Sequence, residues 1–204
     1  TISNNTILGS GNLYEFGFRT DNLYNSTING NNISYTQYNI YIFNSYNITI
    51  INNTLIGGGN GISTTGLFPA ASFFTIANNT ILNFTQTGIT LPINSTSYGD
   101  LINSSIGSTG IISGSNSIIR NAIIDVANYS IIQSSDNNVT FDNITAILGK
   151  GINITGSNIT LTNITFITAN GSARFYNITI NSSSSVDTNN KLIVSNNSIY
   201  VNST

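Results

Sequence analysis

Charge is what this chain has least of. Of its 204 residues 12 are ionised at neutral pH, seven acidic (Glu15, Asp21, Asp100, Asp125, Asp136, Asp142, Asp187) and five basic (Arg19, Arg120, Lys150, Arg174, Lys191), for a formal net charge of −2. An ordinary soluble domain carries roughly a quarter charged residues. Five scattered cations make no basic face, so nucleic acid is excluded as a partner. Histidine, cysteine, methionine and tryptophan are absent. Their absence removes the imidazole base, the thiolate and the soft metal ligands, and with them His-dependent triads, thiol chemistry, haem and zinc. No metal and no diffusible cofactor is expected. No apolar run approaches the roughly 18 residues of a membrane span, so no transmembrane segment is expected. The start at Thr1 without an initiator Met is read as a hint that a signal segment has been removed.

Four residue types fill the space that charge leaves: 36 Asn, 36 Ile, 27 Ser and 26 Thr make up over 60% of the chain. Such bias raises the question of disorder, but disordered chains are poor in β-branched and aromatic residues, and this one adds ten Phe and ten Tyr to its isoleucines. It is expected to fold, and as β structure.

A short phrase recurs, two apolar strands joined at an asparagine: Tyr46–Ile56, Phe74–Leu82, Ser117–Ile124, Asn138–Ala146 and Asn158–Phe166. Taking Asn53, Asn79, Asn103, Asn121, Asn143 and Asn163 as markers, the spacings are 26, 24, 18, 22 and 20 residues, about one coil of a β-solenoid. Within each phrase apolar residues alternate with Thr or Asn at period two, the mark of half-buried strands. The asparagine between them is expected both to take the left-handed bend and to hydrogen-bond in a ladder from coil to coil. Clusters such as Gly57–Gly61 and Ser182–Ser185 are assigned to wider turns of variable length.

These phrases resemble the right-handed parallel β-helix proteins of the pectin-lyase-like superfamily and their periplasmic copper-site assembly relatives with Asn-rich repeats. The resemblance covers roughly residues 1 to 200 and implies one solenoid domain over residues 1–204, of about eight or nine coils and about 40 Å in length. It implies little about activity, because the same fold carries lyases, hydrolases, tailspikes and inert rods. The rival fold is an antiparallel β-sandwich of pilin or immunoglobulin type, which also alternates strands with turns.

N-glycosylation acceptors, Asn-x-Ser/Thr, occur at Asn4, Asn25, Asn32, Asn47, Asn52, Asn78, Asn83, Asn94, Asn103, Asn128, Asn138, Asn143, Asn153, Asn158, Asn163, Asn170, Asn177, Asn181, Asn196 and Asn202. Chance pairing of 36 Asn with 53 Ser and Thr gives about nine such sites, against the 20 present. An Asn-bend repeat rich in Thr generates some of them as a by-product, and a ladder asparagine packed between coils cannot carry a sugar. Sites in turns (Asn94, Asn170, Asn181, Asn202) are therefore expected to be more dependable than bend sites (Asn143, Asn163). Covalent N-glycans place the chain outside the cell and supply the solvation that its missing charge does not. In composition it is similar to the sequon-dense surface glycoproteins of thermoacidophilic archaea. Asn-Gly pairs at Asn29, Asn60 and Asn170 deamidate quickly in hot neutral water unless acid or burial protects them.

Glycosidases and lyases need two or three carboxylates converging on one face. The nearest cluster is Asp125, Asp136 and Asp142, flanked by Arg120 and Lys150, with Asp125 and Asp142 expected about one coil apart. Without His, a paired Asp motif or an aromatic cleft beyond Tyr35, Tyr38, Tyr41 and Tyr46, these read as residues of a solvated face. No catalytic residue is assigned and no enzyme is expected. Gly57–Gly61 lacks the Lys-Ser/Thr of a phosphate loop. Lys150 and Lys191 are weak candidates for isopeptide bonds to asparagine.

Both termini, Thr1–Ile7 and Asn196–Thr204, read as parts of the repeat with no polar cap. The expectation is therefore a structural subunit of an extracellular surface filament or coat, pilus-like, joined head to tail with copies of itself and supporting adhesion. Other surface proteins or glycans are further candidate partners. The alternative is a carbohydrate-active β-helix, either polysaccharide lyase or glycan-binding adhesin.

Overall fold

Strands that bury one side only, separated by bends and never by a hairpin turn, have one compact arrangement: each lies parallel on the strand one coil earlier. The computed structural model describes residues 1–12, 15–65, 73–147, 151–162, 165–167, 178–180, 193–194 and 201–203, with side chains at 1–12, 15–65, 73–128 and 138–147. Its strands form a parallel β-solenoid of about six turns. Every strand pairing in the described residues is parallel, so the sandwich alternative is set aside.

Each coil contributes to three faces. The first comprises Ile2–Ser3, Tyr24–Asn29, Tyr46–Ile51, Thr75–Ala77, Thr96–Tyr98 and Ile118–Arg120. The second comprises Thr6–Leu8, Asn32–Ser34, Thr54–Ile56, Thr80–Leu82, Leu101–Ser104, Ile123–Val126 and Thr145–Ile147, and continues to Thr165–Ile167 and Ile193–Val194. The third comprises Phe16–Asp21, Tyr38–Phe43, Asn60–Thr65, Thr87–Thr90 and Thr109–Ile112. The long strands Tyr129–Asp142 and Gly151–Thr162 run through the third face into the first and join the two into one 13-stranded sheet.

Strict register sends the same inward position of every coil to the same column. Ile28, Ile50, Ile76, Ser97, Ile119 and Phe141 stack on the first face. Ile33, Leu55, Ile81, Ile102, Ile124 and Ala146 stack on the second, and Ile40, Ile62, Ile89 and Ile111 on the third. All of these are buried, and the three columns are parts of one core. Burying one such Ile contributes roughly 1.5–3 kcal/mol, so the stack is the main favourable term in the fold.

Two expectations change. Six turns replace eight or nine coils, and at roughly 4.8 Å per turn the rod they make is about 30 Å long. The turns differ in length, with register partners 20 to 28 residues apart along the chain, and the residues after Ile147 are described only in part. The Gly57–Gly61 run is also not wholly a turn: Gly57 and Gly58 bend with φ of 72° and 84°, but Gly61 lies in a third-face strand. Ser182–Ser185 and Lys191 lie outside the described residues, as does Lys150.

Candidate functional site

The corner between the first and second faces consists of two adjacent residues with opposite fates. The first is left-handed: Asn4, Gly30, Asn52, Asn78, Gly99, Asn121 and Asn143 have φ of 58°, 66°, 55°, 53°, 67°, 53° and 52°. Asparagine tolerates this region by bonding locally and glycine by lacking Cβ. At Gly30 and Gly99 space matters as well, because a Cβ would stand 2.7 Å from Asn4 Oδ1 and 2.3 Å from Asn78 Oδ1.

The second corner residue turns inward and builds a ladder. Asn5 gives its backbone N–H and its Nδ2 to the Oδ1 of Asn31, at 3.0 and 2.9 Å. Asn31 does the same to Asn53 at 2.9 and 3.0 Å, and Asn53 to Asn79 at 3.0 Å for both. Asn79 ends the series on Asp100 Oδ1, at 2.8 and 3.0 Å. Asn31, Asn53, Asn79 and Asp100 are all buried. The ladder stops at this aspartate because the next coils carry Ala122 and Ile144, which offer no side-chain acceptor. The Oδ2 of Asp100 is met by Ser97 Oγ at 2.8 Å, which explains a serine in the first-face isoleucine column. Burial pushes the Asp100 carboxyl up to about 6, against the downward pull of the Asn79 N–H, the Ser97 hydroxyl and the Asn79 amide.

A similar division holds where the third face meets the first. Asn22, Asn44, Asn94, Asn116 and Asn138 are left-handed. Behind them the buried hydroxyls of Ser45, Ser95 and Ser117 take backbone N–H groups of Leu23, Phe74 and Ser95. The bend and the ladder, expected of a single asparagine, therefore belong to two neighbours. The sequence markers mixed these positions: Asn53 and Asn79 are ladder residues, Asn121 and Asn143 are left-handed, and Asn103 lies in a second-face strand. That mixture produced the spacings of 24 and 18 on either side of Asn103, whereas 26 and 22 are true coil lengths.

The acceptor sites divide along the same line. Asn4, Asn25, Asn32, Asn47, Asn52, Asn78, Asn83, Asn103, Asn138 and Asn143 are exposed, and Asn94 and Asn128 are half-buried. The five buried asparagines, Asn31, Asn39, Asn53, Asn60 and Asn79, all lie outside acceptor sequences. Asn143, expected to be a weaker bend site, is exposed, while the turn site Asn94 is less so. The side chains of Asn153, Asn158, Asn163, Asn170, Asn177, Asn181, Asn196 and Asn202 lie outside the described ones.

Geometry favours the pairing of acceptor and hydroxyl, since a left-handed Asn, an inward residue and an outward Thr put the amide and the hydroxyl on the outer side. The fold does not require it: left-handed Asn22, Asn44, Asn116 and Asn121 are followed two residues later by Tyr24, Tyr46, Ile118 and Ile123. Several exposed amides also bond along the rod through Nδ2, Asn47 to Asn25 at 2.7 Å, Asn138 to Asn116 at 2.9 Å and Asn143 to Asn121 at 2.9 Å.

No known protein decides among functions for this geometry. Comparison with family models, curated proteins and solved structures finds no match.

The carboxylates do not converge. Asp125 lies on the second face, in register with Asn103 and Ile147, while Asp142 lies on the first, in register with Arg120. They belong to successive coils, as expected, but to different faces, because each strand phrase folds around a corner between them. The side chain of Asp136 is outside the described ones. Burial raises the Asp125 carboxyl, and Asn103 Nδ2 reaches its Oδ2 at 3.4 Å. Among the described residues no three acidic side chains could share a metal ion, and no helix is long and apolar enough to cross a membrane.

Aromatic side chains gather in two places that the sequence did not separate. On the third face Phe16 stacks on Tyr38 with centroids 5.3 Å apart, Tyr41 closes against both, and Arg19 lies 5.2 Å over Phe16 while pairing with Asp21 at 3.5 Å. On the first face Tyr24 and Tyr46 are register partners with centroids 4.6 Å apart. Tyr35 is exposed and stands alone at a turn.

Proposed function

We propose that this chain is the structural subunit of an extracellular filament or coat, a stiff solenoid rod solvated by N-linked glycans, with attachment of a cell to surfaces as its role. The observation that carries this reading is the sorting of asparagines. Among the described residues no buried asparagine is in an acceptor sequence and no acceptor asparagine is buried. Since the oligosaccharide must project into water, this is the distribution a glycosylated rod requires.

The polymer part of the reading rests on the architecture. In a parallel solenoid strand edges face along the axis only, so assembly by strand addition runs along the rod and yields a filament. The electrostatics fit an acidic medium: the chain carries little titratable charge, and Asp100, the one deeply buried carboxyl among the described residues, is best accommodated when protonated. Placement of Asp125 and Asp142 on different faces favours this reading over a lyase.

Glycopeptide mass spectrometry of protein purified from its own source, with electron microscopy of the same material, tests the proposal. Occupied acceptors at many of the exposed sites and axial filaments are expected. Bare asparagines throughout, or uniform monomers, would refute the glycan and polymer parts respectively.

A further inference from the structure

The acceptor asparagines are not equivalent, and one adjacent pair has an aromatic neighbour. Asn25 and Asn47 have φ of 47° and 55°. Each directly follows a tyrosine, and the left-handed turn puts both members of each dipeptide on the outside, where an extended strand would send one inward. Tyr24 and Tyr46 are 43% and 40% exposed, so both rings present apolar area to water beside the two acceptor amides. Their rings lie against each other at 4.6 Å with an interplanar angle of 41°, one above the other along the axis. The corner residues behind them, Leu23 and Ser45, are tied by a hydrogen bond from Leu23 N to Ser45 Oγ at 2.9 Å, which fixes the two coils where the tyrosines emerge.

We propose that Tyr24 and Tyr46 form the seat for the first sugars of glycans carried by Asn25 and Asn47, so that these glycans are part of the rod's structure and not only its coat. This rests on the reading of the chain as N-glycosylated. The negative face of a tyrosine ring attracts the polarised axial C–H groups of a pyranose, and a sugar laid on the pair covers apolar area that is otherwise wet. The amide chemistry is compatible. Transfer from an activated glycosyl phosphate forms a bond from Nδ2 to the anomeric carbon, releases the phosphate leaving group and gives up one Nδ2 proton. One N–H remains, and Asn47 uses one N–H, to Asn25 Oδ1 at 2.7 Å. One bond asks for one N–H, so the inter-coil contact is compatible with a glycosylated Asn47, and it holds the two attachment points beside the two rings. The acceptor hydroxyls, Thr27 and Thr49, are register partners on the same strands.

The test is a thermal-unfolding cycle on protein made in its own host, with site occupancy read by glycopeptide mass spectrometry. Thr27→Ala with Thr49→Ala abolishes both acceptors while leaving the left-handed asparagines in place. In the native background this pair of substitutions should lower the melting temperature by a few degrees. In a Tyr24→Ala and Tyr46→Ala background the drop should shrink to the cost of two Thr→Ala changes in unglycosylated protein, and in a Tyr24→Phe and Tyr46→Phe background it should be retained. If the alanine background does not fold, Tyr24→Leu with Tyr46→Leu replaces it, with the same expected loss. An equal drop in all backgrounds overturns the inference, as does a bare Asn25 and Asn47 on protein glycosylated elsewhere. Absence of glycan at every acceptor defeats the underlying reading as well.

Discussion

Replacing Asp100 with asparagine isolates one buried ionisation in an almost uncharged protein. The carboxyl titrates at about 6 in the fold against 3.8 for the free side chain, so the folded chain holds a proton that the unfolded chain has released between those values. Stability therefore falls as pH rises from about 4 to above 6 and is flat beyond. At about 1.4 kcal/mol per tenfold in proton affinity, that displacement makes the ionised group cost about 3 kcal/mol at neutral pH. Asparagine keeps the acceptor for both Asn79 donors and offers Nδ2 to the Ser97 hydroxyl, so little is lost when the charge goes. Asp100→Asn should thus match the native chain near pH 3.5 and exceed it by about 3 kcal/mol at pH 7.5, roughly 6–12 °C in melting temperature for a chain of this size. Asp125, also raised by burial, and Glu15, lowered by hydrogen bonds from Ser10, titrate in both proteins and cancel in the difference. Circular-dichroism melts from pH 3 to 8 measure it. A difference that does not vary with pH, or a variant weaker than the native chain at pH 7.5, would refute the buried-carboxylate account.

The two halves of a corner should differ widely in what a substitution costs. Asn53→Ala removes the acceptor for Asn31 and the Nδ2 group that donates to Asn79, Ile28 and Ile51, and should cost about 3–5 kcal/mol in urea unfolding, whereas Asn52→Gly, which suits the left-handed bend, should cost under about 1 kcal/mol. Ser97→Ile restores the apolar column but strips Asp100 of its Oδ2 donor, so it should raise the carboxyl further and steepen the loss of stability between pH 5 and 7, read by the same melts. Peptide mapping after warm neutral incubation should show little deamidation at Asn60, buried with its Nδ2 on Gln86 at 3.0 Å, or at Asn29, where the Gly30 N–H donates to Ile51 O at 3.2 Å; both should deamidate once the chain is unfolded.

The first and second faces were legible because the recurring phrase is those two strands and the corner between them: Phe74–Leu82 and Asn138–Ala146 each cross from one face to the other. The third face was not, because its strands sit in the stretches of varying length between phrases and some look nothing like the repeat. Asn60-Gly-Ile-Ser-Thr-Thr65 carries one isoleucine and opens on a Gly run. Its place is set by register with Tyr38–Phe43 above and Thr87–Thr90 below, pairings 20 or more residues distant. The half-buried Asp125 and Asp142 are near each other in the sequence but fall on different faces for a related reason, since a corner separates the two strands that carry them.

The split of the corner into an outer and an inner residue was written in the chain, but in its exceptions. Asn4-Asn5, Asn52-Asn53 and Asn78-Asn79 hide it by using one residue type twice, whereas Gly30-Asn31 and Gly99-Asp100 reveal it: glycine substitutes only where the backbone is left-handed, and aspartate only where an acceptor is needed. Asparagine serves both places because one amide can relax a left-handed bend and two hydrogens with one oxygen can link three coils. Stacking then forces the outer amides into water at each coil, where a chain with 12 charges has little else to hold a solvent shell. Placing a hydroxyl two residues after the outer amide, a position left to Tyr or Ile at four such corners, converts a bend into a glycan acceptor without touching the core. A solenoid of this kind can therefore gain or lose acceptor sequences corner by corner while its ladder and its isoleucine columns stay fixed.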